Sequence, residues 1–280
     1  MESTQKVLRI KSGKGVRVAS KILHVPIRKE TERWLVLPDI HVPEHDKKAY
    51  GAVLKYASDN KYDGFIQLGD WVDFNTISSH NKGILGKIEG NRVQKDFEAL
   101  EKSIEEVRQA VGPKVQKYLT AGNHEYRLTR FLDEHPELKG LPDFDLPGRI
   151  KRVAPEMTWV PFWEEGKVLQ VGKAKFIHGR NTGRYPAAKV ARDYQGNVFF
   201  GHVHSVEYLS ETTVDDHETR GAMALGCLQS PKASWMHGRP NRWQHAFAEF
   251  FFFKNGNFTF YVPQIFSGQF IAPTGKVYKG

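Results

Sequence analysis

Five short stretches of this sequence carry residue types that could do chemistry, and they recur at strand-like ends. Asp39-x-His41 follows the apolar run Trp34-Leu35-Val36-Leu37, and Gly69-Asp70-x-x-Asp73 follows Phe65-Ile66-Gln67-Leu68. Gly122-Asn123-His124-Glu125 follows Val115–Leu119, and His178 precedes Gly179 after an alternating segment. Gly201-His202-Val203-His204 closes the series after Val198-Phe199-Phe200. Each stretch alone is common by chance. Together they supply Asp, His and Asn donors at successive strand ends, the donor set a two-metal centre needs. Nitrogen and oxygen donors without a thiolate suit Mn²⁺, Fe or Zn²⁺ better than an iron–sulfur or structural zinc site, and two divalent ions are expected, Mn²⁺ first, with Fe, Zn²⁺ or another divalent ion as alternatives. A carboxylate has two oxygens, so Asp70 could bridge two cations. Asp73 reads first as support for neighbouring ligands and second as a turn residue.

The elements that would position these groups follow from periodicity. Tyr50, Val53, Leu54 and Ala57 fall on one helical face, and Phe97, Leu100, Ile104, Val107 and Val111 on another that Gly112-Pro113 stops. With the three strands between and around them, the first half reads strand, helix, strand, helix, strand: a parallel sheet with polar residues at its carboxyl edge. Asp39 and His41 are two apart and would point the same way in an extended tail. Residues 75–92 read as a loop over the site, in which His80 and Arg92 could reach substrate. Residues 126–154 read as an insertion that opens with a helix. Its Arg127 and Arg130 could meet a substrate phosphate, or equally pair with Asp133 and Glu134. Trp159, Phe162 and Trp163 read as core packing.

The second half is mainly β. Val168–Ile177 reads as a hairpin turning at Gly172-Lys173, and its second arm delivers His178-Gly179-Arg180. Arg180 is a third candidate for substrate contact. Residues 206–225 read as a hairpin around Asp215-Asp216, and 246–262 as strands turning at Asn255-Gly256-Asn257. Phe250-Phe251-Phe252-Phe253 does not alternate, which suits a strand buried on both sides.

The chain has 280 residues, a formal net charge of +9 and a pI of about 9.4, a balance that favours an anionic partner. Residues 1–33 hold nine Lys/Arg against three acids, most of that excess. They read as a basic extension, with short strands at Val7–Ile10 and Ile22–Val25, preceding one domain over 34–280. Such an arm could track a phosphate backbone, but with no aromatic residue before Trp34 a solvated extension on the domain edge is favoured. The single cysteine, Cys227, cannot form an intrachain disulfide and sits in an apolar stretch as a core residue. No run is long enough to span a membrane and the start lacks a signal-type apolar region, so a cytoplasmic protein without a membrane partner is expected.

The five blocks, in this order across residues 34 to 204, resemble the calcineurin-like metallophosphoesterase superfamily. Size, charge and the segment Arg242–Phe247 look most like its bacterial or phage-encoded members. The resemblance implies an α/β fold, a four-layer α-β-β-α sandwich with two facing mixed sheets. It implies that Asp39, His41 and His204 hold one divalent ion, that Asn123, His178 and His202 hold the other, and that Asp70 bridges them. His124 looks like the catalytic histidine, with Asp70 as its catalytic partner at the metals, and Glu125 would position His124 or shape the turn. Asp73-Phe74-Asn75 departs from the Asp-Arg-Gly of the protein phosphatases, and Ala121 stands where they carry arginine, so a phosphoprotein is not the expected substrate. The expected activity is hydrolysis of a phosphoester, DNA or RNA above others, by a phosphodiesterase or nuclease using a metal-bridging hydroxide. A phosphatase or diesterase for small nucleotides or phosphorylated metabolites is the alternative. A non-catalytic interaction module on the same fold is disfavoured because every expected position is occupied.

Overall fold

A computed structural model describes residues 21–280 except 162–166, 181, 213, 216–218 and 237, and, of Leu85 and Lys87, the backbone alone. Expectations for Val7–Ile10, Phe162, Trp163 and Asp216 lie outside the described residues. In chain order the elements are β1 (Lys21–Val25), β2 (Thr31–Leu37), α1 (Lys47–Ser58), β3 (Gly64–Gln67), α2 (Val93–Val111), β4 (Gln116–Thr120), α3 (Asn123–Glu134), α4 (Leu146–Val153) and β5 (Met157–Val160). There follow β6 (Lys167–Val171), β7 (Ala174–Ile177), α5 (Pro186–Asp193), β8 (Asn197–Phe200), β9 (Val206–Thr212), β10 (Thr219–Leu225), β11 (Ala248–Phe253), β12 (Phe258–Tyr261), β13 (Gln269–Ile271) and β14 (Val277–Lys279).

The strands form two six-stranded mixed sheets and a small hairpin of β13 and β14. The first sheet runs β12-β11-β2-β3-β4-β5, with β2 to β5 parallel and β11 antiparallel to both its neighbours. The second runs β1-β6-β7-β8-β10-β9; β7, β8 and β10 are parallel, while β6 meets β7, and β9 meets β10, antiparallel. The basic stretch before residue 34 therefore joins the sheets in its described part: β1 pairs with β6 from Lys21↔Lys167 to Val25↔Val171, and β2 already begins at Thr31.

Alternation in the strands decides the layers. Trp34, Val36, Ile66 and Leu68 from the first sheet meet Leu169, Val171, Phe176, Phe199 and Leu225 from the second, with Phe250 and Phe252 between. On the outer face of the first sheet, Leu35, Leu37 and Phe65 pack under Val53 and Tyr56 of α1 and Phe97, Leu100 and Ile104 of α2. On the outer face of the second, Val198, Phe200, Ala222 and Ala224 are covered by Ala187 and Val190 of α5. This is the expected four-layer α-β-β-α sandwich. Local signals set the helix ends: Asp46 caps α1 by accepting the Ala49 N–H at 2.8 Å, and Gly112, at φ 111°, ends α2.

The phenylalanine run of β11 departs from its reading as a strand buried on both sides. Phe250 and Phe252 are fully buried between the sheets, but Phe253 is 50% exposed. Phe251, on its other face, is half-buried, with the Arg33 guanidinium 5.4 Å from its ring centroid and Tyr261 against its edge. The cover on that face is a cation and an edge strand rather than a layer. Residues 75–92 contain 3-10 turns at Asn75–Ile77, Ser79–Asn81 and Leu85–Ile88, and His80 and Arg92 are exposed. Among the described residues no helix is long and apolar enough to cross a membrane.

Candidate metal centre

The parallel strands deliver their polar residues to one edge of the sandwich. Asp39 and His41 follow β2, Asp70 follows β3, Asn123 and His124 open α3 after β4, His178 follows β7, and His202 and His204 follow β8. Asp39 and His41 converge for a reason other than an extended backbone. Both are left-handed, at φ 40° and 58°, as are Asp70 (50°), His202 (70°) and His204 (56°). Five donor residues thus occupy a conformation that L-residues adopt at a cost of about 1–3 kcal/mol each. The loops are tied together to hold it: His41 N–H donates to the Asp70 carbonyl at 2.9 Å, Val42 N–H to Trp71 at 2.8 Å, and Leu228 N–H to Asp39 at 2.9 Å. Two glycines leave the necessary room. A Cβ on Gly201 would lie 2.0 Å from Asp39 Oδ2, and one on Gly122 would lie 2.1 Å from Asp70 Oδ1.

The side chains form one continuous cluster, buried except for the half-buried Asn123 and His202. His204 Nε2 is 3.2 Å from Asp39 Oδ1 and 3.2 Å from His41 Nε2. His178 Nε2 is 3.0 Å from Asn123 Oδ1 and 3.2 Å from Asp70 Oδ2. Asp70 Oδ2 is also 3.6 Å from His41 Nε2 and 3.8 Å from His124 Nε2. The His178 and His202 rings meet edge to face at 5.1 Å. Three sets of donors converge closely enough to hold a cation: Asp39, His41 and His204; Asp70, His178 and His202; and His41, Asp70 and His124. Two imidazole Nε2 atoms facing each other at 3.2 Å beside a carboxylate have one proton between them at most, so the donor set fits a divalent cation.

The electrostatics agree. Burial raises the carboxyls of Asp39 and Asp70, but the surrounding histidines outweigh it and hold both below the usual carboxylate range. Burial lowers His41 and His178, yet the neighbouring aspartates prevail and raise them to about 10 and about 9. Burial pushes His202 down to about 4, and it lowers His204 as well. His124 is pushed down to about 3 by burial, with Arg127 and His41 adding to the effect against Asp70.

Asp73 and Glu125 organise the surroundings. Asp73 Oδ2 lies 3.3 Å from His41 Nδ1 and accepts from Gln229 Nε2 at 3.0 Å and Trp235 Nε1 at 3.1 Å. The Asp73 carbonyl lies 2.7 Å from His124 Nδ1, which places the proton of that imidazole on Nδ1, and accepts from the Arg127 guanidinium at 2.8 Å. A second Arg127 nitrogen donates to His124 Nε2 at 3.0 Å. Glu125 touches no ring of the cluster. Its carboxylate accepts the N–H groups of Gly122 (2.7 Å), Asp70 (2.9 Å), Trp71 (2.7 Å) and Val72 (3.3 Å), so it shapes the turn that carries Asp70.

The three arginines separate. Arg127 belongs to the cluster through Asp73 and His124, and neither of the acids considered as its partners engages it: Asp133 pairs with Lys139 and Glu134 with Lys82. Arg130 is exposed and, with Arg127 and Lys82, lines a cavity of about 190 Å³ beside the cluster. Arg180 is exposed, 3.9 Å from Asp193, and outside the cluster. Gln229 and Trp235 were not legible as site residues. Gln229 at least left a signal, as the first polar side chain after the apolar run Ala222–Leu228 that Gly226 interrupts.

Residues 33–250 match the family model for calcineurin-like phosphoesterases, and the chain belongs to that family. Metal-dependent hydrolysis of phosphoesters is the activity this membership supports. The Gene 54 protein of Mycobacterium phage L5 is 24% identical over 233 residues, which cover 78% of this chain and 88% of the phage protein. Among solved structures, Vps29 of Cryptosporidium parvum is 12% identical, covers 90% of this chain and 98% of its own, and superposes with a TM-score of 0.46. Wild-type Vps29 of Entamoeba histolytica complexed with zinc is 11% identical over 89% of this chain and 98% of its own, at a TM-score of 0.44.

Proposed function

We propose that this protein is a dinuclear-metal phosphodiesterase that cleaves nucleic acid. The observation that carries the reading is the position of Asp70, whose Oδ2 stands between two groups of donors, 3.2 Å from His178 Nε2 and 3.6 Å from His41 Nε2. One carboxylate shared in this way implies two cations. Asp39, His41 and His204 would hold one and Asn123, His178 and His202 the other, and this donor set suits Mn²⁺, Fe or Zn²⁺. When bound, such a pair polarises phosphoryl oxygens and makes a water acidic enough to attack phosphorus.

The chain's own residues supply the rest. Asp73 Oδ2 stands 3.3 Å behind His41 Nδ1, on the side of the ring away from the cluster that its Nε2 faces. The Asp73 carbonyl fixes the His124 tautomer. Arg127 is the fixed positive charge at the mouth, and a phosphoryl oxygen that takes over the Nη2–H now bonded to His124 Nε2 would be met by that charge while Nη1 stays on the Asp73 carbonyl. With its own proton held on Nδ1, His124 Nε2 is a free acceptor once Arg127 turns to the phosphate, so it would take the proton that the attacking water loses and pass it to the leaving oxygen.

The net charge of +9 supports a polyanionic substrate over a phosphoprotein or a neutral ester. The cavity of about 190 Å³ lined by Arg127, Arg130 and Lys82 favours a second reading, a small phosphorylated metabolite. The test is cleavage of end-labelled single- and double-stranded oligonucleotides at low salt with Mn²⁺, with Asp70→Ala as control. Cleavage that the variant loses, and that weakens steeply as salt rises, is the expected result. A metal-loaded protein that hydrolyses a small phosphate ester but leaves every oligonucleotide intact would overturn the nucleic-acid reading.

A further inference from the structure

The segment between β10 and β11 lies against the donor cluster on the side of His41 and His204. Trp243 meets the His204 ring edge to face at 4.6 Å, and Trp235 lies 5.7 Å from Trp243 with the two rings tilted by 52°. Trp235 Nε1 reaches Asp73 Oδ2 at 3.1 Å, the same oxygen that faces His41. Hydrogen bonds hold the pair in place: Gln244 N–H donates to the His204 carbonyl at 2.8 Å, and Ser234 N–H to the Glu44 carboxylate at 2.9 Å. Asn241 closes the loop on the Pro231 carbonyl at 2.9 Å.

These two indoles differ from Trp34 and Trp71, which are 2% and 0% exposed in the core. Trp235 and Trp243 stay half-buried, beside the donor cluster. Adjacent aromatic surface held open by hydrogen bonds at its rim suits a flat partner. The charges around it narrow the choice. Residues 230–245 contain Lys232, Arg239 and Arg242 and no acid. All three cations are exposed, and none has an ion-pair partner among the described residues. Aromatic faces interleaved with unpaired cations are the combination that binds single-stranded nucleic acid, bases on the rings and phosphates on the cations.

We propose that Trp235 and Trp243 form a stacking platform for a nucleobase of the substrate, next to the phosphate that is cleaved. The proposal rests on the phosphodiesterase reading and deepens it. The site then prefers an unpaired base, because a base paired in a duplex offers no free face at this position. The chemistry recognised is the base, carried either by a strand or by a mononucleotide, and the three cations favour the strand.

The test compares affinities of the full-length, Mn²⁺-loaded protein for a short labelled thymidylate strand and an abasic strand of equal length, both phosphorothioate-linked to slow cleavage. Wild-type protein should bind the thymidylate strand about tenfold or more tightly, given the usual strength of base–aromatic stacking. Trp243→Ala and Trp235→Ala should bring that ratio toward one, and Trp243→Phe should restore most of it. A ratio near one in the wild type would overturn the proposal. So would an alanine variant that weakens both strands equally, since its indole would then only brace His204. Thymidine 5′-monophosphate against deoxyribose 5-phosphate separates the sources: discrimination there, with no gain for the strand, assigns the platform to a small nucleotide. Cleavage of the ordinary strands is scored on the same preparations. Base preference without cleavage would remove the phosphodiesterase reading and keep the platform, whereas cleavage without base preference would do the reverse.

Discussion

Replacing Glu125 by glutamine tests the claim that this carboxylate, which contacts no ring of the cluster, holds the centre together. Four backbone N–H groups converge on its two oxygens, those of Gly122 and Asp70 on Oε2 and those of Trp71 and Val72 on Oε1. Glutamine keeps one oxygen and turns an NH₂ group toward the other two donors. Each buried donor left without an acceptor costs about 1–3 kcal/mol, or about 2–6 kcal/mol for both. One effect runs the other way. Burial, and then the Asp70 carboxylate, raise the pKa of Glu125, so removing its charge relieves some repulsion. The net expectation is a loss of about 2–4 kcal/mol in urea denaturation of the metal-free protein at neutral pH. Metal affinity should fall with it, because the turn carries Asp70 at φ 50°. A variant as stable as the parent would show that relief of repulsion offsets the lost hydrogen bonds and would refute the expectation. A destabilised variant with unchanged metal affinity would show that Asp70 needs no help from Glu125.

Metal uptake should release protons. His41 and His178, raised to about 10 and about 9, carry protons at pH 7 in the metal-free protein and must lose them to coordinate. Calorimetric titration in two buffers of different ionisation enthalpy should find about two protons released at pH 7 and fewer above pH 9; no release would refute the assignment of these two as ligands. The same histidines stabilise the metal-free fold fully below their unfolded value of about 6.5, and that contribution is lost as pH rises through 9 and 10. Gly201→Ala places a Cβ 2.0 Å from Asp39 Oδ2, so metal affinity should drop by an order of magnitude or more while circular dichroism stays native, and retained affinity would mean that the loop yields. Asp96, pushed up to about 6 by burial and then by Asp73 and Glu44, stabilises least above pH 6. Asp96→Asn should therefore gain about 1–3 kcal/mol at pH 8 and nothing near pH 4, as read from urea midpoints; an equal gain at both would exclude its ionisation as the cause.

The fold was legible because it repeats one device, an apolar strand that ends in donors, and hydrophobic periodicity marks both strand and end. The α1 and α2 faces and the hairpins of β6–β7 and β9–β10 followed from spacing alone. The divisions that failed concern what covers a surface rather than what lies in it. Nothing local announces that Arg33 would cover Phe251 while Phe253 stays half-exposed. Nor could spacing show β1 pairing with β6, at residues about 146 positions apart in register. Donor types were readable in the same way, but the backbone that aims them was not. Asp39 and His41 meet through two left-handed residues, a solution that extended alternation does not suggest. The partners of Asp73 were invisible for a plainer reason. Gln229 and Trp235 are 156 and 162 residues away, and only the closed sandwich brings their donors to its carboxylate.

The two proposed ions draw their donors from both sheets. Asp39, His41, Asp70 and Asn123 come from the ends of the first sheet, and His178, His202 and His204 from the ends of the second. Each ion would then be a rivet across the seam of the sandwich. Sliding one sheet against the other by an ångström would lengthen bonds in both coordination spheres at once. Catalytic geometry in such a protein gauges how well two sheets stay in line, and substitutions deep between them, at Phe176, Phe199 or Phe250, become mechanical changes to a site they never touch.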